Sequence, residues 1–127
     1  MYETGLSAEF RALHVMPGAQ GPEGSLHPHR YRLEATLARR DLDVNGMVVD
    51  LDVLEGALEQ IVALVRDRDL EIIRPAEAPA VTVEVFARWA HGRLEEALGG
   101  ITGLLTVRIW ESPTAFGGYA AELRSSS

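Results

Sequence analysis

The chain reads as an α+β domain in which two helices cover one face of a four-stranded antiparallel sheet, in the order strand, strand, helix, helix, strand, strand. Three observations predict it. From Tyr31 to Arg39 apolar and polar residues alternate, with Tyr31, Leu33, Ala35 and Leu37 on one face and Arg30, Arg32, Glu34 and Thr36 on the other. Two stretches in the middle of the chain carry apolar residues at helical spacing, and two short strand-like runs close it.

Taken in order, Leu6 to Val15 is the first strand, and a connection rich in Gly and Pro joins it to the second. Pro28 cannot donate a ladder hydrogen bond, so it marks a strand start or an edge. After the turn Asp41 to Gly46, the residues Leu51, Leu54, Leu58, Ile61, Val62 and Val65 define a first helix at about 53–66, with Asp50 or Asp52 as N-cap. Pro75 and Pro79 break the chain. Thr82 then caps a second helix with a stripe of Val85, Phe86, Trp89 and Leu94, which Gly99 and Gly100 end. Leu104 to Trp110 and Gly118 to Leu123 form a closing hairpin around Ser112 to Gly117, and Ser125 to Ser127 is a polar tail.

At 127 residues this is one domain, residues 1–127, with room for a single core. A net charge of −7 without any basic run argues against a nucleic-acid backbone as partner and favours small molecules. The absence of cysteine removes disulfides, thiolate nucleophiles and zinc–thiolate sites together. No signal-like N-terminus and no apolar run near the ~18 residues of a membrane span are present, which predicts a cytoplasmic protein without membrane contact. A small sheet with open edges and one uncovered face predicts a homo-oligomer.

His14, His27 and His29 carry the chemistry. His27 and His29 sit two apart in a strand, so both project from one face, within reach of one metal ion. If the first two strands pair, His14 completes a three-nitrogen site. Three histidines with a fourth position left for water or substrate is the catalytic zinc pattern, whereas structural zinc takes four protein ligands. The alternative is three strand or surface histidines without metal. His91, beside Gly92 on the second helix, reads as a surface residue.

Five segments in order resemble the 6-pyruvoyl-tetrahydropterin synthase and 6-carboxy-tetrahydropterin synthase family. Phe10 to His14 is similar to its Phe-x-Ala-x-His, His27 to Tyr31 to its His-Gly-His-x-Tyr, and Gly46 to Leu51 to its Gly-Met-Val-x-Asp-Phe. Thr82 to Glu84 sits where the family has Pro-Thr-x-Glu-Asn, and Val107 to Glu111 resembles the strand ending in a pterin-anchoring glutamate. The resemblance implies a T-fold assembled into a ring-like homo-oligomer such as a hexamer, with active sites at subunit interfaces. It also implies Zn2+ on His14, His27 and His29, and a pterin-like substrate contacted by Thr82, Glu84 and Glu111. Two of these contacts have a plainer reading: Thr82 as an N-cap, and Glu84 as a first-turn acid favoured by the helix dipole.

Two departures qualify the implied chemistry. The family's catalytic cysteine, four residues before the first histidine of the pair, is Glu23 here. A carboxylate can move a proton but cannot act as a thiolate, and some members with glutamate in this loop are thought to cleave the dihydroneopterin triphosphate side chain. Glu23 can equally be an exposed loop acid. The family's Leu-Asp-His-x-x-Leu-Asn segment aligns with Val65 to Glu71, which puts Arg66 for the aspartate and Asp67 for the histidine. Arginine holds its proton near neutral pH, so that relay is absent; Asp67 is either an acid or base or part of a solvated charge run. The sequence thus predicts a zinc-dependent lyase acting on a pterin side chain, with Glu23 and Asp67 as proton-transfer candidates. The alternatives are the same scaffold redirected to a non-pterin substrate in specialised biosynthesis, and a non-catalytic binding subunit.

Overall fold

The structure is a computed structural model that describes residues 1–15 and 21–124, without the side chains of Pro22 and Glu23. Strands β1 (Tyr2–His14) and β2 (His27–Arg39) are followed by helices α1 (Leu51–Val65) and α2 (Val83–Ala97), then by β3 (Gly103–Trp110) and β4 (Phe116–Leu123). Single turns of 3-10 helix at Gly21–Gly24 and Leu70–Ile73 punctuate the connections. All neighbours in the sheet, ordered β1-β2-β3-β4, are antiparallel. The expected ββααββ arrangement is therefore the one observed.

Alternation positions the core. Tyr31, Leu33, Ala35 and Leu37 on β2 and Leu105, Val107 and Ile109 on β3 are all buried, and they face Leu54, Leu58, Ile61 and Val62 of α1 and Phe86, Ala90 and Leu94 of α2. Each of the Leu, Ile and Val side chains contributes about 1.5–3 kcal/mol on burial. The other sheet face stays polar: Arg32 stacks on Trp110 and Arg108 on Phe116, and both guanidinium groups lie 3.5 Å from Glu34. Asp50, the N-cap of α1, accepts from the Asp52 N–H, so the helix starts at Leu51, before the expected residue 53. β1 begins four residues before the expected Leu6, because cross-strand pairing with β2 runs out to Tyr2 and Arg39 and needs no apolar alternation there.

Pro28 pairs with Leu13 near the start of β2. Leu13 turns its N–H outward to the Arg68 carbonyl (2.8 Å), so this is a non-hydrogen-bonded pair, and the N–H that Pro28 lacks would face the side that β3 does not reach.

His91 corrects the sequence reading. It is only 4% exposed, and its Nε2 lies 3.1 Å from the Leu105 carbonyl and 3.3 Å from the Ala121 carbonyl, donating to both from beneath the sheet. The helical period places it with Ala87, Ala90 and Leu94 on the buried stripe of α2, and its ring meets the Tyr119 ring edge-on at 5.0 Å. It joins α2 to the sheet and is not a surface residue.

Candidate metal and substrate site

One end of the sheet gathers most of the residues singled out by sequence. The C-terminal end of β1, the N-terminal end of β2, the β3–β4 turn and the first turn of α2 meet there. On β1 and β2, His14 stands directly opposite His27, and His29 opposite Ala12, so the three histidines share the sheet face that the helices cover. Directly opposed positions place Cβ atoms about 4.5–5.5 Å apart, which leaves one ion within reach of all three rings.

Among the described residues, no three His, Asp or Glu side chains already converge on one point. The rings are set instead by their carbonyl partners. His27 donates through Nδ1 to the Ser25 carbonyl at 2.8 Å, and His29 donates through Nε2 to the Glu111 carbonyl at 3.0 Å. In a neutral ring each bond sets the tautomer and leaves the other nitrogen with a lone pair, as histidine ligands are commonly held. His14 Nε2 is buried without a hydrogen-bond partner, a position that costs free energy unless something binds it. Burial holds the His14 imidazole below its ordinary value; a hydrogen bond with the backbone of Val81 opposes this, and neighbouring His27 and His29 add to it. These donors fit a zinc ion.

Glu111 follows β3 directly. Its N–H donates to the Ala115 carbonyl at 3.1 Å, closing the turn to β4, and the exposed Glu111 lines a groove of about 350 Å³ with Tyr31 and with Glu9, Arg30, Arg32 and Trp110 of the polar sheet face. Burial pushes the Tyr31 hydroxyl well above the ordinary tyrosine range, and the negative charge of Glu111 adds to the shift. Parity with His27 and His29 is the sequence signal that would have drawn Tyr31 into the site.

Thr82 caps α2, its Oγ1 accepting from the Val85 N–H at 3.1 Å. Glu84 lies exposed in the first turn, against β4 at Gly117. A Cβ at Gly117 would come within 2.5 Å of Val83 Cγ2 and 2.9 Å of Glu84 Oε1, so glycine there is what lets the first turn of α2 approach the hairpin.

Asp67 is held elsewhere. Its backbone is left-handed (φ 58°), its N–H donates to the Arg11 carbonyl at 2.7 Å, and its exposed carboxylate is 3.6 Å from Arg11 Nε. Alternation along β1 sends Arg11 to the sheet face opposite His14. The backbone of Glu23 lies in the Gly21–Gly24 turn that precedes β2, and its side chain lies outside the described residues.

Residues 5–122 match the model of the 6-pyruvoyl tetrahydropterin synthase family. The chain belongs to this family. Solved structures agree on the fold. Caenorhabditis elegans 6-pyruvoyl tetrahydropterin synthase is 20% identical with a TM-score of 0.73, over 94% of this chain and 95% of that one. The Plasmodium vivax enzyme is 13% identical with a TM-score of 0.69, over 95% and 99%. A variant of that enzyme, described as a catalytic-residue mutant with glutamate replaced by cysteine, has a TM-score of 0.70 at 13% identity, over the same 95% and 99%. No curated protein matches the sequence significantly. Membership of the 6-pyruvoyl tetrahydropterin synthase family supports a lyase-like enzyme. No described helix is long and apolar enough to cross a membrane.

Proposed function

We propose that the protein is a zinc-dependent lyase that acts on the side chain of a pterin such as dihydroneopterin triphosphate, with Glu23 in the place of the usual cysteine. The observation that carries this reading is the hydrogen bond from His29 to the Glu111 carbonyl, which ties the histidine cluster to the carboxylate suited to a pterin. His14, His27 and His29 would hold the metal. When bound, zinc supplies Lewis-acid polarisation of a substrate side-chain oxygen.

The chain's own groups do the rest. The Glu111 carboxylate accepts two hydrogen bonds from the guanidine-like edge of the pterin, a bidentate geometry that fixes the ring. Thr82 and Glu84 add polar contacts from the first turn of α2. Glu23 moves the proton at the side-chain carbon. The Plasmodium vivax enzyme, whose catalytic residue is described as a glutamate, supports a carboxylate in this role. Asp67, tied to Arg11 on the outer edge of β1, serves proton transfer only from the margin of the site or toward a neighbouring copy. The open edge of β4, and that of β1 before Arg11, favour a homo-oligomer, with a hexamer as the expected size, and we place the protein in the cytoplasm.

The test is incubation of zinc-loaded protein with dihydroneopterin triphosphate, with the pterin products followed by chromatography. Turnover that disappears in Glu23→Gln supports the assignment. Product formation no faster than in a metal-free control overturns it. One observation favours a second reading, the same scaffold serving a non-pterin substrate: Arg66 and the Arg11-bound Asp67 stand where the family has its Asp-His relay. Tight binding of pterin to the zinc-loaded protein would remove that reading.

A further inference from the structure

We infer that the groove along the outer side of α2 is a docking site for a second copy of this chain, whose Asp43–Met47 turn enters it head-to-tail. The contact is independent of the lyase reading and of the strand edges. A groove of about 600 Å³ runs between α2 and the segment 73–78, with Ile73, Ala78, Val85 and Trp89 as its apolar wall. Trp89 is half-buried there, its ring tilted against Phe86 at 6.1 Å between centroids. Gly92 lines the groove as well. A glycine inside a helix is destabilising relative to alanine, and a Cβ at this position would meet nothing within 4 Å, so packing within the chain does not ask for glycine. A bare helix surface lets the backbone of a partner come close.

The turn between β2 and α1 supplies the occupant. Val44 stands fully exposed in it, and Leu42 and Met47 to either side are exposed too. The turn is held in shape from within: the Asp43 N–H donates to the Met47 carbonyl at 2.8 Å, and Asp43 Oδ1 accepts from the N–H groups of Asn45 (2.8 Å) and Met47 (3.0 Å). A pre-formed turn that presents apolar side chains to water is shaped for burial against protein, and little ordering is left to oppose it. Charge matches the turn to the groove. Arg93 at the rim is already 3.8 Å from Glu96, but the Arg88 guanidinium lies over the Tyr119 ring at 5.4 Å, and among the described residues no carboxylate is within 4 Å of it. Arg88 is thus the counter-charge for Asp41 and Asp43 beside Val44, as exposed Glu77 is for exposed Arg40. The turn lines a separate hollow with Gly100 and Thr102, past the C-terminal end of α2, so it does not reach the groove of its own chain. Two different patches that fit one another make a heterologous contact, which builds a ring where the rotation closes.

The experiment uses full-length protein and sedimentation velocity over a concentration series, with far-UV circular dichroism as the folding control. Val44→Glu removes the apolar tip and Gly92→Trp fills the groove. Each is expected to keep the wild-type spectrum and to weaken self-association about tenfold or more, as loss of a central apolar anchor does. Cross-linking reads the contact itself, in a chain with no cysteine of its own. A Val44→Cys copy mixed with a Gly92→Cys copy is expected to give a covalent pair with a short bismaleimide, while either variant alone stays uncoupled. Wild-type self-association in either Val44→Glu or Gly92→Trp, no coupling in the mixture, or equal coupling in one cysteine variant alone would overturn the inference. A wild-type chain that is monomeric at every concentration would also overturn it and leave the groove to a different ligand.

Discussion

His29 donates through Nε2 to the backbone carbonyl of Glu111, 3.0 Å away, although 82 residues separate them in the chain. The bond spans the end of β2 and the β3–β4 turn, and it uses the backbone of Glu111, leaving the carboxylate available to a ligand. The proposed metal ligand and the proposed substrate contact are therefore mechanically joined yet chemically separable, and the two can be tested apart.

Replacing Glu111 by Gln keeps the carbonyl that His29 needs and removes only the charge. Zinc content is expected to stay at the wild-type level while pterin affinity falls about 10- to 100-fold, as for loss of a charge-assisted bidentate contact. Elemental analysis alongside a fluorescence titration checks both halves, and loss of zinc in this variant would contradict the separation.

His27 stands opposite His14 across the β1–β2 pair, and its Nδ1 is engaged by the Ser25 carbonyl. His27→Ala is expected to abolish stoichiometric zinc. In wild type, chelation is expected to lower the melting temperature, because a ligand that binds only the folded chain stabilises it by mass action. A chelator-insensitive melting curve in zinc-loaded wild type would count against a bound metal.

The metal-free protein should lose stability in mildly acidic solution in a way that depends on His14. Burial holds its folded-state value below that of the unfolded chain, which lies at about 6.5. As pH falls below that value the unfolded state takes up the proton first, so the contribution present above about pH 6.5 is lost as pH falls toward the folded value. Urea unfolding at pH 7.5 and pH 5.5 in the presence of chelator is expected to show a steeper acid loss in wild type than in His14→Gln. Equal slopes would mean that burial does not perturb this imidazole.

Gly117 carries the approach of α2 to the hairpin. A methyl group there would meet Val83 Cγ2 at 2.5 Å and the Glu84 backbone nitrogen at 3.0 Å, and the backbone cannot swing aside as a long side chain would. Gly117→Ala is expected to destabilise the fold by about 1–3 kcal/mol, the usual range for an overpacked contact. A denaturation midpoint equal to wild type would show that the helix start yields more readily than the packing suggests.

Much of this was legible in the chain because strand and helix patterns are local. The alternation through Leu33, Ala35 and Leu37 named the buried face of β2, and Asp50 and Thr82 marked the two helix starts they cap. His91 was not legible. Its neighbours Gly92 and Arg93 are exposed, and only the period that joins it to Ala87 and Leu94 signals burial. Asp67 was equally obscure, since its backbone bond to Arg11 depends on how the chain leaves α1 and lies along the outer edge of β1.

By itself the sequence determined the order of elements, the common parity of His27, His29 and Tyr31, and the carboxylate at position 111, since these follow from periodicity and composition along a few neighbouring residues. The tertiary structure alone decided that His14 faces His27, that His29 reaches Glu111 and that Arg11 holds Asp67. Those relationships depend on strand register and on segments far apart in the chain, and packing of the whole domain settles them where no local pattern can.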